Sequence, residues 1–232
     1  MKKNLYKLLI LITPLIIQTS QGFNLRDITT FAKGFLKSPL DVGSPLPCSS
    51  STGYELITYI RRSIQFNPKK PLRILEVGAG TGSVTKIIVR ILRPQDKLDL
   101  IEVSQDYCSE LQKQFRRFRS VSVYCESFEN FEPEEPYDFI ISTLPINSFG
   151  QPCLNNTIES FKRSIEPGGV LSFVSIAGMP QLKRHFIRGK SKRESHACIN
   201  TLQEFRNKYQ IDSSTVLTNI PPLRVYHLQI QA

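Results

Sequence analysis

The chain has 232 residues, 40% of them hydrophobic, and 30 Lys and Arg against 20 Asp and Glu give it a net charge of +10. This length and apolar content suit one large α/β core, and no internal repeat or long low-complexity tract argues otherwise. Five cysteines without a C-x-x-C pair exclude a disulfide framework, and three histidines, at 185, 196 and 227, lack metal-ligand spacing. Cys108, Cys125, Cys153 and Cys198 read as free thiols of a reducing compartment, and Cys48 is left open. The positive excess points to a polyanion, either nucleic acid or an anionic membrane surface.

Residues 1–22, MKKNLYKLLILITPLIIQTSQG, begin basic and continue as an apolar run over 8–17. They have the outline of a secretory signal, but the run is short and broken by Pro14, which argues against a full membrane span. A shallow anchor at the cytoplasmic membrane face is the leading expectation, with export or an inert extension as alternatives. Residues 23–70 follow as amphipathic entry helices: Ile28, Phe31, Phe35 and Leu36 share one face, with Lys33 and Lys37 beside them. The segment lies on a membrane interface or packs on its own domain. Residues 71–232 form the main domain.

That domain opens with LEVGAGTGSVT, residues 75–85. Leu72, Ile74, Leu75 and Val77 read as a buried parallel strand, and Val84, Ile87, Ile88, Ile91 and Leu92 recur at helical spacing. Between them, Gly78, Gly80 and Gly82 allow unusual backbone angles and close approach of a ligand. A tight turn without a ligand is the plain alternative. The dinucleotide fingerprint needs a third glycine where Ser83 stands, and Glu76 suits a sulfonium and amino group better than a pyrophosphate. The stretch resembles the E/D-x-G-x-G-x-G turn of methyltransferases that use S-adenosylmethionine.

The following strands fit that resemblance. KLDLIEVSQDY places Glu102 after a second apolar run, 24 residues beyond Gly78, where an acid can bond ribose hydroxyls. VSVYCESFENF gives a third strand with Glu126, Ser127 and Phe128 at its end, for the adenine amino group and ring. YDFIISTLPINSF gives a fourth, ending at Ser142, Thr143, Leu144 and Pro145, and EPGGVLSFVSIAG a turn and a fifth. The alternation predicts a Rossmann-like, doubly wound, mostly parallel seven-stranded sheet with helices on both faces. The cofactor-binding set is Glu76, Gly78, Gly80, Thr81, Gly82, Glu102, Val103, Glu126, Ser127 and Phe128.

Three further stretches, FLKSPLDVGSPLPCSSSTGYELITYI, STLPINSF and TNIPPLRVYHLQ, resemble bacterial phospholipid N-methyltransferases. Cys48, Glu126 and the hydrophobic amino terminus depart from that pattern. The resemblance implies methylation of phosphatidylethanolamine or another aminolipid at the membrane, with S-adenosylmethionine as cofactor; the histidine spacing assigns no metal. Ser142, Thr143, Leu144, Pro145 and Tyr54 are the candidates for orienting the amine. Anionic lipids are the expected partner of the basic run at 183–193, which holds Lys183, Arg184, Arg188, Lys190, Lys192 and Arg193. The main competitor is a ribosomal-RNA adenine methyltransferase, but residues 143–146 lack the asparagine and aromatic that grip a flipped base. A methyltransferase of another small molecule and a non-catalytic membrane-binding protein of the same fold are the remaining alternatives.

Overall fold

A computed structural model describes residues 48–177, 190–219 and 222–231, with backbone alone at 190–192. The segments expected to meet a membrane, residues 1–22 and 23–47 and most of the basic run at 183–193, lie outside the described residues. Among the described residues no helix is long and apolar enough to cross a membrane.

Two helices, α1 (Ser50–Leu56) and α2 (Thr58–Phe66), precede β1 (Arg73–Val77). Then come α3 (Thr85–Ile88), β2 (Lys97–Ile101), α4 (Gln105–Phe115), β3 (Val121–Tyr124) and β4 (Tyr137–Ser142). The chain closes with α5 (Gln151–Ser164), β5 (Ile165–Ile176), α6 (Lys190–Tyr209), β6 (Gln210–Val216) and β7 (Leu223–Gln229). The seven strands form one sheet in the order β3-β2-β1-β4-β5-β7-β6. Strands β1 to β5 pair in parallel, and β7 runs antiparallel to both β5 and β6. This is the expected Rossmann-like sheet.

The inner strands form because their apolar runs are covered on both faces. Residues 74–77 of β1 and 98–101 of β2 are fully buried, whereas the edge strand β3 alternates between half-buried and exposed. One core layer gathers Leu56, Ile57, Ile74, Ile87 and Phe115. The opposite layer gathers Leu75, Phe128, Phe161, Phe205 and Tyr226.

Two local expectations are corrected. The helix after the glycine turn is only four residues long, because tight bonds such as Ile87 N to Val84 O (2.8 Å) and Ile91 N to Ile88 O (3.0 Å) wind its flanks into turns. The run of Val and Ile there is a poor helix former. The EPGG stretch does not precede β5 but bulges within it. Tyr137 pairs with Ile165 and Phe139 with Val170, so the extra residues are absorbed as an irregularity.

Strand order reverses between β1 and β4, the two central neighbours. In such sheets the crevice beyond the carboxyl ends of the strands at this switch point is the ligand site. Here it is bounded by the glycine turn after β1, the residues after β2 and the turn after β4.

Candidate active site

The glycine turn begins where β1 ends, and three strand ends are tied to one another around it. Gly78 and Ala79 donate their amides to the carbonyl of Ile101, at 2.9 and 3.2 Å. Gly80 donates to Glu102 Oε2 (2.8 Å), and Ser104 donates to Oε1 of the same carboxylate (2.9 Å). From the other side, the Thr143 amide donates to the Val77 carbonyl (3.1 Å) and its hydroxyl to the Gly78 carbonyl (2.6 Å).

The three glycines serve different ends. All have positive φ, +78° at Gly78, +54° at Gly80 and +75° at Gly82, which L side chains rarely adopt. A Cβ at Gly78 would lie 3.1 Å from Leu144 Cδ2, and one at Gly82 would lie 2.9 Å from Phe115 Cε2. Gly78 thus makes room for the turn after β4, and Gly82 for α4. Only Gly80 faces open space, with nothing nearer than the Gly78 carbonyl at 3.9 Å. That is where a ligand can approach the main chain.

Glu76 is completely buried. Its Oε2 accepts the Thr85 hydroxyl at 2.7 Å, while Oε1 has no hydrogen-bond partner. Burial, reinforced by the charge of Glu102 and partly offset by Thr85, pushes the carboxyl up to about 8. An unpartnered buried carboxylate oxygen at a strand end is an acceptor for an ammonium group. By contrast, the Gly80 and Gly82 amides already have partners, Glu102 and the Ala79 carbonyl, so this turn is not a phosphate cradle. The donor set therefore fits an amino-acid-bearing cofactor such as S-adenosylmethionine.

The other anticipated residues divide into two groups. Val103 stands 70% exposed beside Glu102, an apolar surface at the rim. Thr81 is buried within the turn, and Glu126 and Ser127 are half-buried after β3. Phe128 lies in the core, its ring 5.0 Å from that of Phe161. Ser142 is fully buried, and its Oγ accepts the Leu144 amide (3.3 Å), a bond that shapes the turn. Leu144 and Pro145 are half-buried, with the Leu144 carbonyl taken by the Ile146 amide at 2.8 Å. Tyr54 is exposed on α1.

Sequence reasoning missed Thr85, whose hydroxyl anchors Glu76, and Asn219, which joins α1 to the turn after β6. The thiol of Cys48 is pushed up to about 12 by burial and by the neighbouring charge of Glu76, so it stays protonated. Cys108 donates its thiol to the Glu102 carbonyl at 3.2 Å and is likewise pushed up to about 12, chiefly by burial. Among the described residues no group of His, Cys, Asp and Glu is arranged for a metal ion.

Comparison with known proteins agrees with this geometry. Residues 74–169 match a family model described as a methyltransferase domain. Compactin diketide synthase mlcB of Penicillium citrinum is 29% identical over 50% of this chain, but the chain spans only 5% of that protein's length. Ornithine lipid N-methyltransferase of Singulisphaera acidiphila is 25% identical over 71% of this chain and 84% of its own. The crystal structure of N-methyltransferase NodS from Bradyrhizobium japonicum, in complex with S-adenosyl-L-homocysteine, superposes with a TM-score of 0.54. That match has 15% identity and covers 78% of this chain and 88% of that one. The chain thus has the Rossmann-like class I fold, and residues 74–169 of it match a methyltransferase domain.

Proposed function

We propose that this domain methylates the amine of a membrane aminolipid, phosphatidylethanolamine being the first candidate, at the cytoplasmic face of the membrane. The observation that carries the reading is the turn after β4. Leu144 packs over Gly78, and Pro145, the buried Ile146 and the half-buried Phe149 continue an apolar wall beside the glycine turn. An enzyme that acts on a flipped base needs free polar groups for the base edge and an aromatic for its face; residues 143–146 hold no aromatic, and the Thr143 hydroxyl is spent on the Gly78 carbonyl. A small amine at the end of an apolar molecule needs only a narrow slot. The net charge of +10 and the similarity to a protein named for an ornithine lipid support the same choice.

Bound S-adenosylmethionine supplies a methyl group on a sulfonium, a good leaving group. The protein's task is then to hold a neutral amine in line and keep water out. Glu76 would hold the cofactor through its unpartnered oxygen, and Glu102 through lone pairs not used by Gly80 and Ser104. Leu144, Pro145 and Ile146 exclude water, and the Thr143 bonds fix their distance from the glycine turn. Tyr54 is the candidate side chain for orienting the head group.

The test is incubation of the full chain with methyl-labelled cofactor and vesicles of phosphatidylethanolamine or ornithine lipid, with total RNA in parallel. Label is expected in lipid. Label in RNA and in no aminolipid overturns the reading. Sedimentation with anionic and neutral vesicles checks the membrane part: preference for anionic vesicles at low salt, lost at high salt, is expected.

A further inference from the structure

The helix α1 begins at a buried polar junction far from its own sequence neighbourhood. Asn219, 2% exposed, lies in the turn between β6 and β7. Its Oδ1 accepts the backbone amide of Ser49 at 2.8 Å and the hydroxyl of Thr52 at 3.3 Å. Ser49 in turn caps the helix, accepting the Thr52 amide on its Oγ at 3.2 Å. One side-chain oxygen thus holds the cap residue and the first turn of α1 from 170 and 167 residues away.

The placement of this junction matters more than its strength. At the end of β6, Val216 pairs with Leu223, and Leu223 pairs with Ile176 at the end of β5. Asn219 therefore stands at the carboxyl edge of the parallel strands, the edge that holds the glycine turn and Leu144. From there α1 packs on α3, the helix after the glycine turn: Gly53 sits directly against Ile87 Cδ1, leaving no room for a Cβ. Cys48, just before the cap, is close enough to Glu76 to feel its charge. On the other side of α1, Glu55 Oε1 lies 3.8 Å from the Nε2 of the buried His227, beyond hydrogen-bonding distance. Moving the Ser49 end would move Cys48 relative to Glu76 and the rest of α1 relative to the carboxyl edge of the sheet.

We propose that Asn219 is a positioning residue for the methyl acceptor: its side-chain oxygen latches α1 to the carboxyl edge of the sheet and so fixes the acceptor entrance. The proposal rests on the methyl-transfer reading above, but not on the acceptor being a lipid. The buried Asn219 acts through α1, by way of the bonds of its Oδ1 to Ser49 and Thr52.

The experiment uses the full chain with Asn219→Leu, Asn219→Asp and Thr52→Val. Asp keeps an acceptor oxygen for both bonds, Leu keeps only bulk, and Thr52→Val removes one donor from the opposite side. Hydrogen exchange of residues 50–56 reports the latch without any acceptor. Expected for Asn219→Leu are exchange faster by about tenfold or more, cofactor affinity within about twofold, and an acceptor KM raised by about tenfold. Asn219→Asp should recover most of both effects, and Thr52→Val should show a smaller change of the same kind. Unchanged exchange in Asn219→Leu and Thr52→Val removes the latch. Faster exchange with unchanged KM and kcat leaves α1 merely structural and overturns the proposal. If the wild type methylates RNA and not lipid, the lipid reading falls, and the same KM comparison on RNA still judges the latch.

Discussion

Glu102 reaches back from the end of β2 to accept the amide of Gly80 at 2.8 Å, while its other oxygen holds the amide of Ser104. The acid expected to meet the ribose is thus also what fixes the glycine turn. Glu102→Ala removes both roles. Cofactor binding should weaken by about 1–3 kcal/mol, and the unliganded protein should also lose stability, because two backbone amides lose their acceptor. Calorimetric titration and a thermal melt of the same sample check both. Loss of affinity with an unchanged melt would mean that the two amides readily find other partners.

The glycines separate binding from folding. At Gly80, a side chain meets the cost of a left-handed backbone, about 1–2 kcal/mol, but enters open space. Gly80→Ala, and more severely Gly80→Val, should abolish cofactor binding and leave the fold largely intact. At Gly82 the same backbone cost adds to a clash with Phe115 Cε2 and Gln114 Nε2. Gly82→Ala should therefore destabilise the protein by about 2–4 kcal/mol. Denaturant midpoints and cofactor affinity, measured side by side, give the contrast. Equal loss of stability in both alanine variants would refute the assignment of Gly80 to the ligand side.

The buried Glu76 carboxyl predicts a pH signature. Its folded value of about 8 lies above the ordinary 4.5, so between these values the native state holds a proton that the unfolded chain has released. Stability contributed by this group falls as pH rises through that window and levels off above about 8. An ammonium brought against Oε1 favours the carboxylate, so cofactor binding below pH 8 should release a proton and tighten as pH rises. Titration in two buffers of different ionisation enthalpy measures that proton. Glu76→Gln should abolish the release and flatten the pH dependence of stability.

What the sequence revealed follows from which contacts are local. Buried apolar runs and their alternation were enough for β1, β2 and β4, and the spacing from Gly78 to Glu102 located an acid that does meet the glycine turn. The environments of Phe128 and Ser142 are set by partners the spacing does not reveal. Phe161 claims the ring of the first, and the backbone of Leu144 claims the hydroxyl of the second. Asn219 was visible only as part of a resemblance, since its partners Ser49 and Thr52 lie at the opposite end of the chain. The short α3 shows tertiary packing and a β-branched run overriding a periodicity that by itself predicts a longer helix.

The last prediction tests the apolar wall. Leu144 Cδ2 lies against Gly78, in a turn fixed by Ser142 Oγ, by the bonds of Thr143 and by the Ile146 amide. Leu144→Asp keeps that backbone but puts a carboxylate without a cation into a half-buried apolar slot. An aminolipid head group would then meet a charged, hydrated wall where it needs a dry one. Methyl transfer to phosphatidylethanolamine vesicles should fall by about 100-fold or more, matching about 3 kcal/mol for an unpaired polar group. Cofactor affinity should stay within about threefold, because Glu76, Gly80 and Glu102 are untouched. Leu144→Met, which keeps volume and polarity, should retain most of the activity. Lipid methylation indifferent to Leu144→Asp would leave the function standing and move the acceptor site away from this turn. A parallel loss of cofactor binding would show instead that the substitution disrupts the glycine turn through Gly78.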